Sequence, residues 1–216
     1  MTYLQLVNAV LARLRKTQVA TYNETTYSSM IAEFVNQATR EVENAWNWNS
    51  LRTTVQVATV ANDYSYSLTG VGPNVFILDV FNDTSDEPLK VAPTSTWMTQ
   101  KLLANNQPKG PPEVYDVNGF DASDQPIVNI YPIPDGVYNI NFNVVDKTVF
   151  TAGTDKISDT YSLAVVLRAT MHAVQERGDD GGQDLGYLQD QYTKAIGDAI
   201  AYDVSLHYSE TTWYED

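Results

Sequence analysis

Between residues 163 and 204 the apolar residues of this chain take helical spacing twice over, on either side of the acidic, glycine-rich break Gly178-Asp179-Asp180-Gly181-Gly182. In the first run Leu163, Val166, Leu167, Thr170, Met171 and Val174 stand three or four apart, and Arg168, Gln175 and Glu176 fall mostly off that line. Such spacing gathers side chains on one face of an α-helix. In the second run Leu185, Leu188, Tyr192, Ile196, Ala199, Ile200 and Val204 repeat the pattern, with Gln189, Lys194, Asp198 and Asp203 largely opposite. Two amphipathic helices joined by a short break predict an antiparallel pair, and the remainder of the chain has to pack on that pair or project from it.

The start of the chain supplies two more helices. Over residues 2–16, Leu4, Val7, Val10, Leu11 and Leu14 form one stripe, and Arg13, Arg15 and Lys16 in the last turn suit the negative end of the helix dipole. After a polar connector, Tyr27, Met30, Ile31, Phe34, Val35, Ala38 and Val42 mark a second helix that ends near Trp46. The run Asn44-Ala45-Trp46-Asn47-Trp48-Asn49-Ser50 then breaks helical spacing.

From residue 51 the apolar period falls to two. Val55 and Val57 alternate with Thr54 and Gln56, and Tyr64-Ser65-Tyr66-Ser67-Leu68 follows, so these two stretches read as paired strands. Further strands are predicted over 75–81, 89–92, 113–117, 127–131 and 137–145, with a brief helix over 94–103. The Asp135-Gly136 pair between the last two strands suits a tight hairpin. Gln107-Pro108-Lys109-Gly110-Pro111-Pro112 forbids regular structure and is expected as a surface loop. Ser158 or Asp159 should cap the helix that follows the strands. The predicted class is α+β: an antiparallel helical bundle of two N-terminal and two C-terminal helices with a β-rich insert. The expected division is a helical core of 1–50 and 157–208, an insert of 51–156 and a tail of 209–216.

Composition narrows the function. With no cysteine, disulfides and thiolate metal sites are excluded, and a reducing compartment is expected. The first residues lack the apolar run of a signal peptide, and no segment approaches the ~18 apolar residues of a membrane helix. A soluble protein made in a cytosol, with no membrane partner, is the expectation. The 27 acidic and 13 basic residues give a net charge of −14, a field that repels nucleic acid as readily as it keeps a protein soluble.

Catalytic signatures are weak. His172 and His207 are far apart and lack metal-ligand spacing. Gly70-Val71-Gly72-Pro73 is a turn rather than a phosphate loop, and Asp179, Asp180 and Asp184 lack the ligand order of a calcium loop. Among 27 acids some carboxylate pair always looks suggestive, so no glycosidase pair can be nominated. No catalytic residue, metal or cofactor is expected. Asn23-Glu24-Thr25 and Asn82-Asp83-Thr84 match the glycan acceptor pattern, which carries no weight without a secretion signal.

Aromatic residues are abundant: 14 tyrosines and four tryptophans. Core or junction packing accounts for Trp46, Trp48 and Trp97. The tail is different, because Ser209, Glu210, Thr211, Thr212, Trp213, Tyr214, Glu215 and Asp216 include too few apolar neighbours to cover two large rings. A tail of this kind is expected to be mobile alone and to order on a partner.

Two N-terminal helices, the Trp46-Asn47-Trp48 junction, a β-rich insert ending in Tyr131-Pro132-Ile133-Pro134, the helix opened by Ile157-Ser158-Asp159 and the Glu176-Arg177-Gly178-Asp179 break before a last tyrosine-containing helix together resemble the head-to-tail adaptors of tailed bacteriophages. The resemblance covers nearly the whole chain. It implies a virion protein at the head-tail junction, with about twelve copies closing a ring beneath the portal protein through one repeated contact. It also implies a tail nozzle or neck protein below, and a channel through which DNA passes without specific binding. On that basis Thr211, Thr212, Trp213, Tyr214, Glu215 and Asp216 are expected to contact the portal. Gln107, Pro108, Lys109, Pro111 and Pro112 are expected to contact the tail or a neighbouring subunit. Two rival classes are a virion-borne cell-wall glycosidase, separable by activity on peptidoglycan, and a carbohydrate-binding module, separable by glycan binding.

Overall fold

The computed structural model describes residues 1–105, 107–178 and 185–206, without the side chain of residue 177. The described residues form two compact units, one from Met1–Ser50 and the residues from Thr148 onward, the other from Leu51–Lys147.

In the first unit, α1 (Tyr3–Arg13) and α2 (Thr26–Ala45) precede the strands, and α4 (Asp159–Arg177) and α5 (Leu185–Ser205) follow them. Both early helices open on a capping box: Thr2 and Thr25 accept the amides of Gln5 and Ser28, whose side chains accept the amides of Thr2 and Thr25 in return. Each box satisfies two amides that the first helical turn leaves without partners. Ser158 caps α4 by accepting the amide of Thr160. Helix α4 packs against α1, α2 and α5, so it is buried on several sides: Tyr161, Ala164, Val165, Leu167, Ala169 and Ala173 are all at most 2% exposed. A single stripe does not describe such a helix, and Leu163, placed on the stripe by spacing, is 51% exposed.

The second unit is one seven-stranded mixed sheet in the order β1-β7-β3-β4-β5-β6-β2. Its strands are β1 (Arg52–Ala58), β2 (Ser65–Ser67), β3 (Phe76–Asn82), β4 (Glu87–Val91), β5 (Val114–Phe120), β6 (Pro126–Tyr131) and β7 (Asn139–Val145). In β7 the period of two holds as far as Val144, after which Val145 is buried as well. Ile140, Phe142 and Val144 are buried with Val80, Leu89, Val128 and Ile130. Asn141 and Asn143 face the other way, where Asn141 accepts from Gln56 at 3.0 Å, Asn143 accepts from Thr54 and Asn143 donates to Asp79, both at 2.6 Å. These cross-strand pairs lock the register, because a slip of one residue would exchange the apolar and amide faces. Strands β4 and β5 run parallel, which requires a crossover. Helix α3 (Ser95–Leu102) lies within it and buries Met98 and Leu102 with Ala92 and Ile133.

This architecture replaces the predicted antiparallel helical bundle with a β-rich insert. Among the described residues there are five α-helices, one of them inside the strand region, and a nearly closed mixed sheet, with the other helices toward the chain ends. Pairing differs as well. β1 pairs with β7 and β2 with β6, so the two earliest strands are not partners. Nor is there a hairpin at Asp135-Gly136, because β6 pairs with β5 and β2, whereas β7 pairs with β1 and β3. Pro132 and Pro134 deny the segment two ladder donors, and Asp135 accepts from the Tyr138 hydroxyl. Alternation identifies strands but carries no information about which strands pair.

Candidate functional site

Three polar clusters organise the helical unit. At the end of α2, Glu43 is 1% exposed. Its carboxylate accepts the Tyr161 hydroxyl at 2.9 Å and the Thr148 amide at 2.9 Å. Burial, and then the charge and hydrogen bond of Glu43, push the Tyr161 phenol far above its usual pKa. Trp48 packs on Tyr161, with its ring centre 4.7 Å from that of Tyr161 and its indole donating to the Val42 carbonyl.

The second cluster is built on Asp203 near the end of α5, a carboxylate only 3% exposed. It accepts the Trp46 indole at 3.0 Å and the Asn49 amide at 3.2 Å, and the Asn49 side chain donates to the Asp203 carbonyl. Thus Asp203 holds the chain just before it leaves the helical unit after Ser50, and Glu43 holds it where it returns at Thr148. Sequence spacing set Asp203 on the solvent side of α5, because its partners lie more than 150 residues away. Glu43 carried a usable signal: a carboxylate four residues beyond the buried Thr39, on the buried face of α2.

The third cluster ties α2 to α4 and α5. Glu41 pairs with Arg168, accepts from Gln37 at 3.0 Å and lies 3.2 Å from Nε2 of His172, which is close enough for a charge contact but not aligned for a hydrogen bond. The Arg168 guanidinium also sits 5.6 Å from the ring centre of Tyr192 on α5. Partial burial works against the Glu41 charge, but hydrogen bonds from Arg168 and Gln37 and the charges of His172 and Arg168 outweigh it and hold the carboxyl below its usual pKa of 4.5. A depressed pKa adds stability that is present above the unfolded value and is lost as pH falls through the folded one. Glu41→Gln is therefore expected to lower stability by about 1 kcal/mol at pH 7, a charged hydrogen bond discounted for its partial exposure. It should also flatten the loss of stability below pH 4.5, and urea denaturation at pH 7 and pH 3.5 checks both. An unchanged acid slope counts against this role for the cluster.

The sequence-nominated contact residues separate. Thr211, Thr212, Trp213, Tyr214, Glu215 and Asp216 lie outside the described residues, as does His207. The other group is on the sheet unit, where Pro108, Lys109 and Pro111 are exposed, Gln107 is half-buried and Pro112 is buried. This stretch is anchored rather than free, because Lys109 bridges to Ile133, the Gly110 amide donates to the Ile133 carbonyl at 3.0 Å, and Gln107 donates to the Leu102 carbonyl. The Lys109 ammonium also donates to Asn62. Elsewhere on the sheet unit, Phe76, Val91, Val117 and Phe120, each at least 44% exposed, line an apolar cleft of about 350 Å³ with Tyr115 and Pro126. Spacing alone does not reveal the cleft, because its walls come from four strands.

Among the described residues no group of three or more His, Asp and Glu side chains could hold a metal ion. No described helix is long and apolar enough to cross a membrane. No curated protein sequence matches the chain. Among solved structures it is similar to a chain from one described as "Neck of empty GTA particle computed with C6 symmetry", at 12% identity over 86% of this chain and 87% of that one. The TM-score is 0.29, too low to bear on fold or role. The profile of the SU10 adaptor proteins, by contrast, matches residues 1–212. Nearly the whole chain is thereby accounted for, and the protein belongs to the SU10 adaptor protein family, serving as a structural head-to-tail adaptor of the bacteriophage virion.

Proposed function

We propose that this adaptor works as one of about twelve copies in a ring beneath the portal protein, joined by a heterologous contact that closes. The ring links the portal to a nozzle or neck protein of the tail at the head-tail junction and does so without catalysis, after synthesis in the host cytoplasm. The match to the SU10 adaptor family over residues 1–212 is the observation that carries this reading. In it, Thr211, Thr212, Trp213, Tyr214, Glu215 and Asp216 engage the portal, while Gln107, Pro108, Lys109, Pro111 and Pro112 face the tail or a neighbouring subunit. Both assignments draw on chemistry. Tryptophan and tyrosine give large contact area with a polar handle, and a backbone already tied to Ile133 loses little entropy when it is bound. The apolar cleft of Phe76 and Phe120 supplies further lateral contact.

The charge of −14 per copy has two consequences. DNA passes such a ring without the counterion release that makes phosphate binding strong. Copies of the ring also repel one another, so assembly needs the portal and strengthens with salt. Sedimentation of the protein alone is expected to show mainly monomer at low ionic strength and more self-association in about 0.5 M salt, where screening shortens to a few ångströms. Tight rings that ignore salt in the absence of portal would contradict this reading of the charge.

A further inference from the structure

Strand β4 is shorter than β3 and β5, the strands on either side of it, and the difference opens a slot in the sheet. Strand β3 meets β4 only from Val80 to Asn82, and β5 meets it only at Val114 and Tyr115. Past Val91 the chain turns off toward α3. From that level on, Phe76 and Ile77 of β3 pair with β7 alone, and Asp116, Val117 and Phe120 of β5 pair with β6 alone. The apolar cleft of about 350 Å³ lies here, with Phe76, Ile77, Val91, Val117 and Phe120 in its walls and Asp116 as the one charged residue among them.

The backbone on both banks is aimed into the slot. Just past β7 the Asp146 amide donates to the Leu51 carbonyl, so Val144 turns its backbone groups to β1 and Val145 turns its own to β3. Phe76, opposite Val145, therefore faces β7, and the amide and carbonyl of Ile77 face the slot. On β5 the Tyr115 carbonyl accepts the Ala92 amide, so Tyr115 faces β4 and Val117, two residues on, faces the slot. Among the described residues neither Ile77 nor Val117 has a backbone partner on that side. Unpaired edges of this kind recruit another strand.

From these observations we infer that the slot takes an extended arm of another protein as an added strand in line with β4. Width, edges and chemistry select that occupant. Two strand spacings separate β3 from β5, about 10 Å, which admits one strand and excludes a helix of about that diameter. The arm has to be unpaired on both sides, so none of the seven strands of a second copy can serve, each already having a neighbour. It contains no proline, because both banks use its amides. Alternate side chains are apolar to cover Phe76 and Phe120, and the flanks are neutral or basic to suit Asp116 and a chain of net charge −14. This goes beyond the lateral contact given to the cleft above, since it fixes the form of the contact and stands whether or not a ring forms.

The probe is the synthetic peptide acetyl-Lys-Val-Thr-Val-Thr-Val-Lys-amide, titrated to millimolar concentration into the ¹⁵N-labelled full-length chain. Saturable NMR shifts are expected for the Ile77 and Val117 amides, with hydrogen exchange of both slowed about tenfold or more by the new ladder bonds. Phe76→Glu and Phe120→Glu, at positions 51% and 53% exposed, should each weaken the peptide by about tenfold or more while the melting temperature stays in place. The same peptide N-methylated at two successive central residues should not bind. Absence of a saturable change at either amide overturns the inference, and so does equal binding of the N-methylated peptide, which would make the cleft an apolar patch with no strand character. Amides already protected without peptide overturn it too, in favour of a second copy if dilution exposes them and of the chain itself if it does not. Because no portal is present, any of these failures leaves the ring reading standing.

Discussion

Trp48→Ala lowers the stability of the helical unit by about 3–5 kcal/mol, the range for truncating a large buried aromatic side chain. Trp48 is 0% exposed, and its removal leaves a cavity beside Tyr161 and takes the donor from the Val42 carbonyl. It also loosens the packing on Tyr161, whose hydroxyl donates to the buried Glu43 carboxylate. A domain is commonly stable by only about 5–15 kcal/mol, so a loss of this size is a large fraction of the whole. Urea denaturation followed by far-UV circular dichroism measures it. A shift below about 1 kcal/mol, within the usual spread of surface substitutions, would show that Trp48 is peripheral to the unit.

Replacing Trp213 and Tyr214 together by alanine is expected to weaken binding of each copy to a portal ring by about a thousandfold. A well-buried aromatic hot spot contributes on the order of 2 kcal/mol, and about 1.4 kcal/mol corresponds to a factor of ten. In a ring the loss multiplies, because every copy contributes to avidity. Thermal stability should be nearly unchanged, since this reading gives the two rings to the portal and not to the interior of the helical unit. Surface-based binding to immobilised portal, paired with a melting curve of the same variant, reads both quantities. Full portal binding with a sharply lowered melting temperature would assign the two rings to the fold and remove them from the interface.

The physics of each element decides how far it can be read from sequence. Helices α1, α2, α4 and α5 and the strand-rich middle were legible because burial imposes a local period on each. The capping residue Ser158 and the crossover helix α3 were legible for the same reason, since caps and turns are short-range chemistry. Sheet order was not. Whether β7 lies beside β6 or between β1 and β3 depends on contacts made across dozens of residues, and the Asp-Gly pair at 135–136 favoured a hairpin that the flanking prolines and the burial of Ile140 and Phe142 overrule. The exposed face of Leu163 and the buried carboxylate of Asp203 went unseen for a related reason. Periodicity reports that a helix has a buried face, not how many neighbours cover it or which polar group another helix brings. The two nominated contact groups came from composition and resemblance, and composition could not reveal that residues 107–112 are bridged to Ile133.

The central claim is that this adaptor assembles on a portal into a closed ring, and the mass of particles in solution tests it most directly. Purified adaptor, a preformed portal ring and their mixture are to be measured by sedimentation or mass photometry at one ionic strength. The account predicts small particles for the adaptor alone and, on mixing, a single complex heavier than the portal ring by about twelve copies of the 24.1 kDa chain. A mixture that shows only the two separate starting species would contradict it.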